Sequence, residues 1–218
     1  MDFLIQPVTH FEQNCTLLWC EETHRAAIVD PGGEPQIILD LLRRLDLTPE
    51  CILLTHGHVD HVGAAGILAP RLDAPILGPH RDDAFLVQAL AAQCQQFGFP
   101  AVPDFEPDRW LEGGDRITVG RQVLSVIHCP GHTPGHLVFF DALGRLASVG
   151  DVLFRGSIGR TDLPRGDHDQ LIASITERLF PLGDDVRFIP GHGPVSTLGE
   201  ERRDNPYVGS QGLARRHI

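Results

Sequence analysis

Four times in this 218-residue chain an apolar run stops at a histidine or aspartate set beside glycine. The segments are Cys51-Ile-Leu-Leu-Thr-His-Gly-His58, Val126-Ile-His-Cys-Pro-Gly-His132, Ala147-Ser-Val-Gly-Asp151 and Phe188-Ile-Pro-Gly-His192. A short apolar run reads as a buried strand, and glycine or proline at its end allows the tight backbone path that turns it. Repeated in both halves, the pattern predicts a sheet-built fold with chemistry-bearing side chains gathered on one rim.

Further strands are expected over 15–20 and 26–30 around the polar turn 21–25, and over 74–77, 116–119, 122–127, 137–140 and 145–149. Ile37, Ile38, Leu41, Leu42 and Leu45 recur at helical spacing. Helices are also expected over 62–72, 83–97 and 169–179, with a capping-box start at Thr197-Leu-Gly-Glu200. Residues up to about Trp110 after the third helix read as irregular. Strand groups, each followed by a helix in both halves, predict one layered α/β domain over 1–218.

Composition removes several classes. At 42% hydrophobic and 22% charged residues the chain is an ordinary globular protein. A net charge of -11 argues against the broad basic face of a nucleic-acid binder. No apolar run approaches the length of a membrane span and the N-terminus lacks a basic leader, so a cytoplasmic protein without membrane contact is expected. Five cysteines, an odd number without CxxC spacing, indicate neither a disulfide framework nor a thiolate zinc site.

The richest segment is His56-Gly-His-Val-Asp-His61. His56 and His58 can point the same way from an extended strand end, while Asp60 and His61 open the next helix at another angle. Residue frequencies put the chance occurrence of this pattern in such a chain at roughly 0.003, so coincidence explains it poorly. With His132, Asp151 and His192, seven ligand-type residues are available. Seven exceed the needs of one tetrahedral ion, and imidazole with carboxylate suits zinc, iron or manganese. Two ions sharing a bridging carboxylate fit the count. Hydroxide held between two cations forms near neutral pH, because bound water can reach a pKa of about 7, and ester-like or thioester bonds are suitable targets.

Other residues are less distinctive. Asp30, His128 and His136 fit equally well as partners orienting metal ligands and as ordinary hydrogen-bonded residues. His10, His24, His80, His168 and His217 are expected to have no metal role. Phe97 and Phe99 could wall a substrate cleft, although buried packing is the commoner fate of such aromatics, and Cys129 is expected to be packed rather than nucleophilic.

Further motifs are Gln13-Asn-Cys15, Val29-Asp-Pro-Gly-Gly33, Cys129-Pro-Gly-His-Thr-Pro-Gly-His136 and Phe188-Ile-Pro-Gly-His-Gly-Pro194. With them the chain resembles the metallo-β-lactamase superfamily over nearly its whole length, and most closely its small bacterial glyoxalase II-like hydrolases. The resemblance implies an αββα sandwich. It implies His56, His58 and His132 on one metal, Asp60, His61 and His192 on a second, and Asp151 bridging, with Asp60 also orienting the attacking hydroxide. Two ions are implied, zinc first, with iron or manganese as alternatives.

The implied substrate is a hydroxyacylglutathione thioester such as S-D-lactoylglutathione, split to D-lactate and glutathione. Arg160 matches a basic substrate-binding position and is expected to hold a carboxylate bidentately. The C-terminal helical domain of larger glyoxalase II enzymes is not expected, since 26 residues follow His192, and Tyr207 is the only tyrosine. Glutathione recognition is therefore expected to differ. The alternatives are a mononuclear-iron persulfide dioxygenase and a hydrolase of another small ester or thioester. A β-lactamase is disfavoured by the lack of a zinc-ligand cysteine.

Overall fold

In the computed structural model of the chain, which describes residues 1–210, the strands form two main sheets. The first runs β1 (Asp2–Val8), β2 (Gln13–Trp19), β3 (Arg25–Val29), β4 (Thr48–Leu53), β5 (Ile76–Leu77). β1 to β3 pair antiparallel. From β3 onward the pairing is parallel, because α1 (Pro35–Arg44) returns the chain from β3 to β4. Between β4 and β5 lie α2 (Val59–Val62) and α3 (Ala65–Leu72), and after β5 come α4 (Ala84–Val87) and α5 (Leu90–Phe97).

The second half opens with β6 (Arg116–Val119), β7 (Gln122–His128), β8 (Leu137–Asp141) and β9 (Leu146–Gly150). A small hairpin, β10 (Leu153–Phe154) and β11 (Ser157–Ile158), precedes α6 (His168–Ala173), β12 (Arg187–Pro190), β13 (Ser196–Thr197) and α7 (Leu198–Asp204). The second sheet has the order β13-β12-β9-β8-β7-β6 and is antiparallel except between β12 and β9.

Side-chain alternation stacks these elements into four layers. Ile28 and Ile52 pack with Ile38, Leu42, Leu68 and Leu90 under the first set of helices. Their strand neighbours Val29 and Leu53 face the opposite way and meet Leu124, Leu137 and Phe139 of the second sheet. Val138, Ala147 and Phe188 face outward again, onto Leu171, Ile175 and Leu198. The strands are thus buried on both faces, which is why they read as continuous apolar runs. The architecture is the αββα sandwich.

Several elements differ from the sequence reading. β1 is an additional strand, patterned weakly because most of it is only partly buried. The helix expected over 83–97 is broken, since the Leu86 carbonyl accepts a hydrogen bond from the Gln93 side chain as well as from Ala89. The helix over 62–72 starts only at Ala65, after α2. Beyond Ala173 the next helix widens into a π-helical segment, Ser174–Leu179, where Ser174 and Thr176 hydroxyls donate to the Pro130 and Ile172 carbonyls. The capping at Thr197 is as expected, with its hydroxyl accepting from Glu200 N. No helix among the described residues is long and apolar enough to cross a membrane. His217 lies outside the described residues.

Candidate metal centre

The four apolar runs end on one rim, where β4 releases His56 to His61, β7 leads to His132, β9 to Asp151 and β12 to His192. Asn14 ties the two sheets there, donating from Nδ2 to the carbonyls of Pro190 at 3.0 Å and Gly193 at 2.8 Å. Close approach is possible because the crossing points are glycine. A methyl group on Gly32 would sit 1.5 Å from the Asp60 carbonyl oxygen, and one on Gly191 would sit 2.1 Å from Asp151 Oδ1.

All seven expected residues converge. His58 Nδ1 lies 3.0 Å from His56 Nε2 and 3.1 Å from His132 Nε2. His61 Nε2 lies 3.6 Å from Asp60 Oδ2, and His192 Nε2 lies 3.2 Å from the same oxygen. Asp151 stands between the two groups, Oδ1 at 3.4 Å from His61 Nε2 and Oδ2 at 3.6 Å from His132 Nε2 and 3.8 Å from His192 Nε2. His192 is the most open member at 29% side-chain exposure, so the centre faces solvent on its side.

Outer partners fix which ring nitrogens face inward. Thr55 Oγ1 donates to Asp30 Oδ2 at 2.6 Å and so accepts from His56 Nδ1 at 3.0 Å. His61 Nδ1 donates to Asp30 Oδ2 at 2.9 Å, His132 Nδ1 to the Arg160 carbonyl at 2.7 Å, and His192 Nδ1 to the Phe11 carbonyl at 3.0 Å. Each of these rings therefore turns an unprotonated Nε2 inward. His61 Nε2 and Asp151 Oδ1 are buried and have no hydrogen-bond partner. His58 Nδ1 can donate to only one of its two imidazole neighbours, and the orphaned buried polar atoms beside them are costly without cations among them. The donor set fits a dinuclear metal site.

Electrostatics point the same way. Burial pushes His58 down to about 3, helped by neighbouring His132, and holds His56 well below its ordinary value. His61, although burial opposes it, is raised well above the ordinary value by the Asp151 and Asp60 carboxylates. Asp151 is buried, yet His61 and His132 hold its carboxyl far below the usual range.

Of the residues left open by sequence, Asp30 orients His61, and His136 Nε2 accepts from Asp151 N at 3.0 Å while its ring stacks on His56. His128 bonds the Pro134 carbonyl instead. Cys129 is fully buried, and burial pushes its thiol up to about 12.

A cavity of about 480 Å³ adjoins the centre, walled by Phe11, Phe97, Phe154, Ile158 and Leu163 beside the metal-facing residues and Arg160. Phe97 both lines the cleft and packs against the first core, so the two sequence readings meet in it, while Phe99 packs against that core and His10. The Arg160 guanidinium is held by both oxygens of Asp162, at 2.7 and 2.6 Å.

Asp83 and Gln93 are supports that sequence reasoning missed. Asp83, buried between the ligand loops, accepts from Gly57 N at 3.0 Å, Thr133 Oγ1 at 2.8 Å and Gly135 N at 2.6 Å. Gln93 accepts from Val59 N at 3.0 Å and donates to the Gly57 carbonyl at 3.1 Å. Neither carries a local sequence signal, since each acts on loops distant in the chain.

A family model described as the Metallo-beta-lactamase superfamily matches residues 8–192. The hydroxyacylglutathione hydrolase GloC of Haemophilus influenzae is 46% identical over 97% of this chain and 100% of its own. Among solved structures, BLEG-1 B3 metallo-beta-lactamase superposes with a TM-score of 0.88 at 35% identity, covering 95% of this chain and 99% of that one. TTHA1623 in a di-iron-bound form gives 0.85 at 40% identity, with 94% and 99% covered.

Proposed function

The chain belongs to the metallo-beta-lactamase superfamily, and from that premise we propose that it is a dinuclear metal-dependent thioester hydrolase acting on a hydroxyacylglutathione such as S-D-lactoylglutathione. The observation that carries this reading is the end-to-end similarity to a hydrolase named for that substrate class. His56 Nε2, His58 Nδ1 and His132 Nε2 are the donors for one ion, and Asp60, His61 Nε2 and His192 Nε2 for the other. Asp151 offers one oxygen to each group. Bound there, the ions supply an acidified water and Lewis-acid polarisation of the thioester carbonyl.

The chain's own groups do the rest. Asp30, Thr55 and the carbonyls of Arg160 and Phe11 keep the imidazole lone pairs aimed inward. Asp60 orients the attacking water. Phe11, Phe97 and Phe154 exclude bulk water from one side of the cleft, and Arg160 at its edge meets a substrate carboxylate. Zinc is the first choice of metal, with iron a real alternative given the di-iron relative. A single domain over 1–218 and a cytoplasmic location complete the reading, in keeping with five unpaired buried cysteines.

The similarity to a B3 metallo-beta-lactamase favours β-lactam hydrolysis as a second reading. The test is a substrate panel on the metal-loaded protein: lactoylglutathione, other thioesters, a β-lactam, and glutathione persulfide with oxygen uptake followed. Fastest turnover of a glutathione thioester is expected. Preference for the β-lactam, or oxygen uptake with persulfide, overturns the assignment.

A further inference from the structure

The metal centre is bordered differently at its two ends. At one end His132 Nδ1 donates to the carbonyl of Arg160, the one arginine lining the cleft, at 2.7 Å. At the other, His192 Nδ1 donates to the Phe11 carbonyl at 3.0 Å, and the Phe154 ring stands edge-on to the His192 imidazole with centroids 6.3 Å apart. Phe11 packs edge-on against Phe99 and Phe97, with centroids at 5.2 and 6.3 Å. Even so braced, its side chain stays 41% exposed, which is uncommon for a large apolar residue of this chain. Apart from the metal-facing residues, the polar side chains lining the cavity are Ser157 and Arg160, and the Arg160 fork is already engaged by Asp162.

We propose that Phe11, Phe97 and Phe154 form an acyl pocket at the His192 end, and that the preferred substrates are glutathione thioesters whose 2-hydroxyacyl group carries an aromatic side chain in place of the methyl of lactate. This rests on the thioester hydrolase reading above. The two ends of the centre set the direction: the carboxylate-bearing thiol half lies toward Arg160 and His132, which leaves the acyl half toward His192. A methyl group there leaves most of the Phe11 face in water. An aromatic side chain covers Phe11 and Phe154, meets them edge-to-face, and removes apolar surface of both partners from water. Hydrolysis of 3-phenyllactoylglutathione, the simplest such probe, consumes one water, breaks the thioester C–S bond and releases 3-phenyllactic acid and glutathione.

Phe11 and Phe154 are thereby specificity-determining residues. Phe11 sits in the turn 9–12 between β1 and β2, and Phe154 in the β10–β11 hairpin, both apart from the strand ends that carry the metal-facing residues. The backbone of Phe11, and not its ring, holds His192, so a changed side chain leaves that bond available. Acyl preference is therefore separable from the donor set.

Steady-state kinetics on lactoylglutathione and 3-phenyllactoylglutathione compare the metal-loaded wild-type chain with Phe11→Ala and Phe154→Ala. In the wild type, kcat/KM for the phenyllactoyl thioester is expected to exceed that for the lactoyl thioester by about tenfold or more, the scale on which added apolar groups discriminate in a pocket. The ratio is expected to fall several-fold in each variant. Being a ratio, it does not depend on the fraction of active enzyme, so a variant that loads less metal still reports it. Turnover of neither thioester overturns the hydrolase reading and this inference with it. Lactoylglutathione split at least as fast as the phenyllactoyl thioester, or a ratio equal to that of wild type in both variants, overturns the acyl pocket and leaves the hydrolase reading standing.

Discussion

Asp151 Oδ1 and His61 Nε2 stand 3.4 Å apart in the interior, and neither has a hydrogen-bond partner. Asp151 is also the one carboxylate that approaches both histidine groups. Asp151→Asn is therefore expected to empty the centre of at least one ion. The fall in metal affinity should exceed the ~10–100-fold typical of losing an outer partner. Metal titration of the variant measures it, and unchanged affinity counts against a bridging role.

Gly191→Ala is a purely steric probe of the same pair. The added methyl would lie 2.1 Å from Asp151 Oδ1 and 2.7 Å from His61 Cε1, so both side chains must move. Metal content and turnover should fall together, although no ligand has been replaced. Retention of both ions with full activity would show that the centre tolerates displacement.

Asp83 makes the pH dependence testable. Burial pushes its carboxyl up to about 6 from 3.8, against the three donors that lower it. The native state then holds its proton more tightly than the unfolded chain. This contribution to stability is full below about pH 4 and is lost as pH rises through about 6, a span on the order of 3 kcal/mol. Asp83→Asn should flatten that slope in urea unfolding. At neutral pH it should cost ~1–3 kcal/mol, because an amide N–H faces donors where an acceptor stood.

Much of this centre is legible in the sequence because each ligand follows a strand buried on both faces. Apolar runs such as Cys51–Leu54 and Ala147–Val149 therefore announce the element, and the glycine beside each ligand marks its end. The carboxylates and histidines that matter are crowded into a few short segments. What escaped notice is long-range. Asp83 joins Gly57 to Gly135, 26 and 52 residues away, and His80 meets His128 only after β7 has been placed. The helix over 83–97 reads as continuous from propensity, and tertiary hydrogen bonds from Gln93 break that expectation.

Arg160 and Asp162 form an exposed bidentate pair that holds Asp162 at about 2 and keeps the arginine fork engaged. A substrate carboxylate must compete with Asp162 for it. Asp162→Asn is expected to lower KM several-fold for carboxylate-bearing thioesters, and Arg160→Ala to raise it with kcat nearly unchanged. Steady-state kinetics on thioesters with and without a carboxylate separate the two. Equal effects on both substrates would remove Arg160 from recognition.

The central claim is that two ions held by His56, His58, Asp60, His61, His132, Asp151 and His192 hydrolyse a thioester. It is tested most directly by measuring lactoylglutathione hydrolysis while the metal-free protein is loaded stepwise with zinc(II). Activity is expected to climb until two equivalents are bound and then level off. Full activity at one equivalent, or two bound ions without thioester cleavage, would contradict the account.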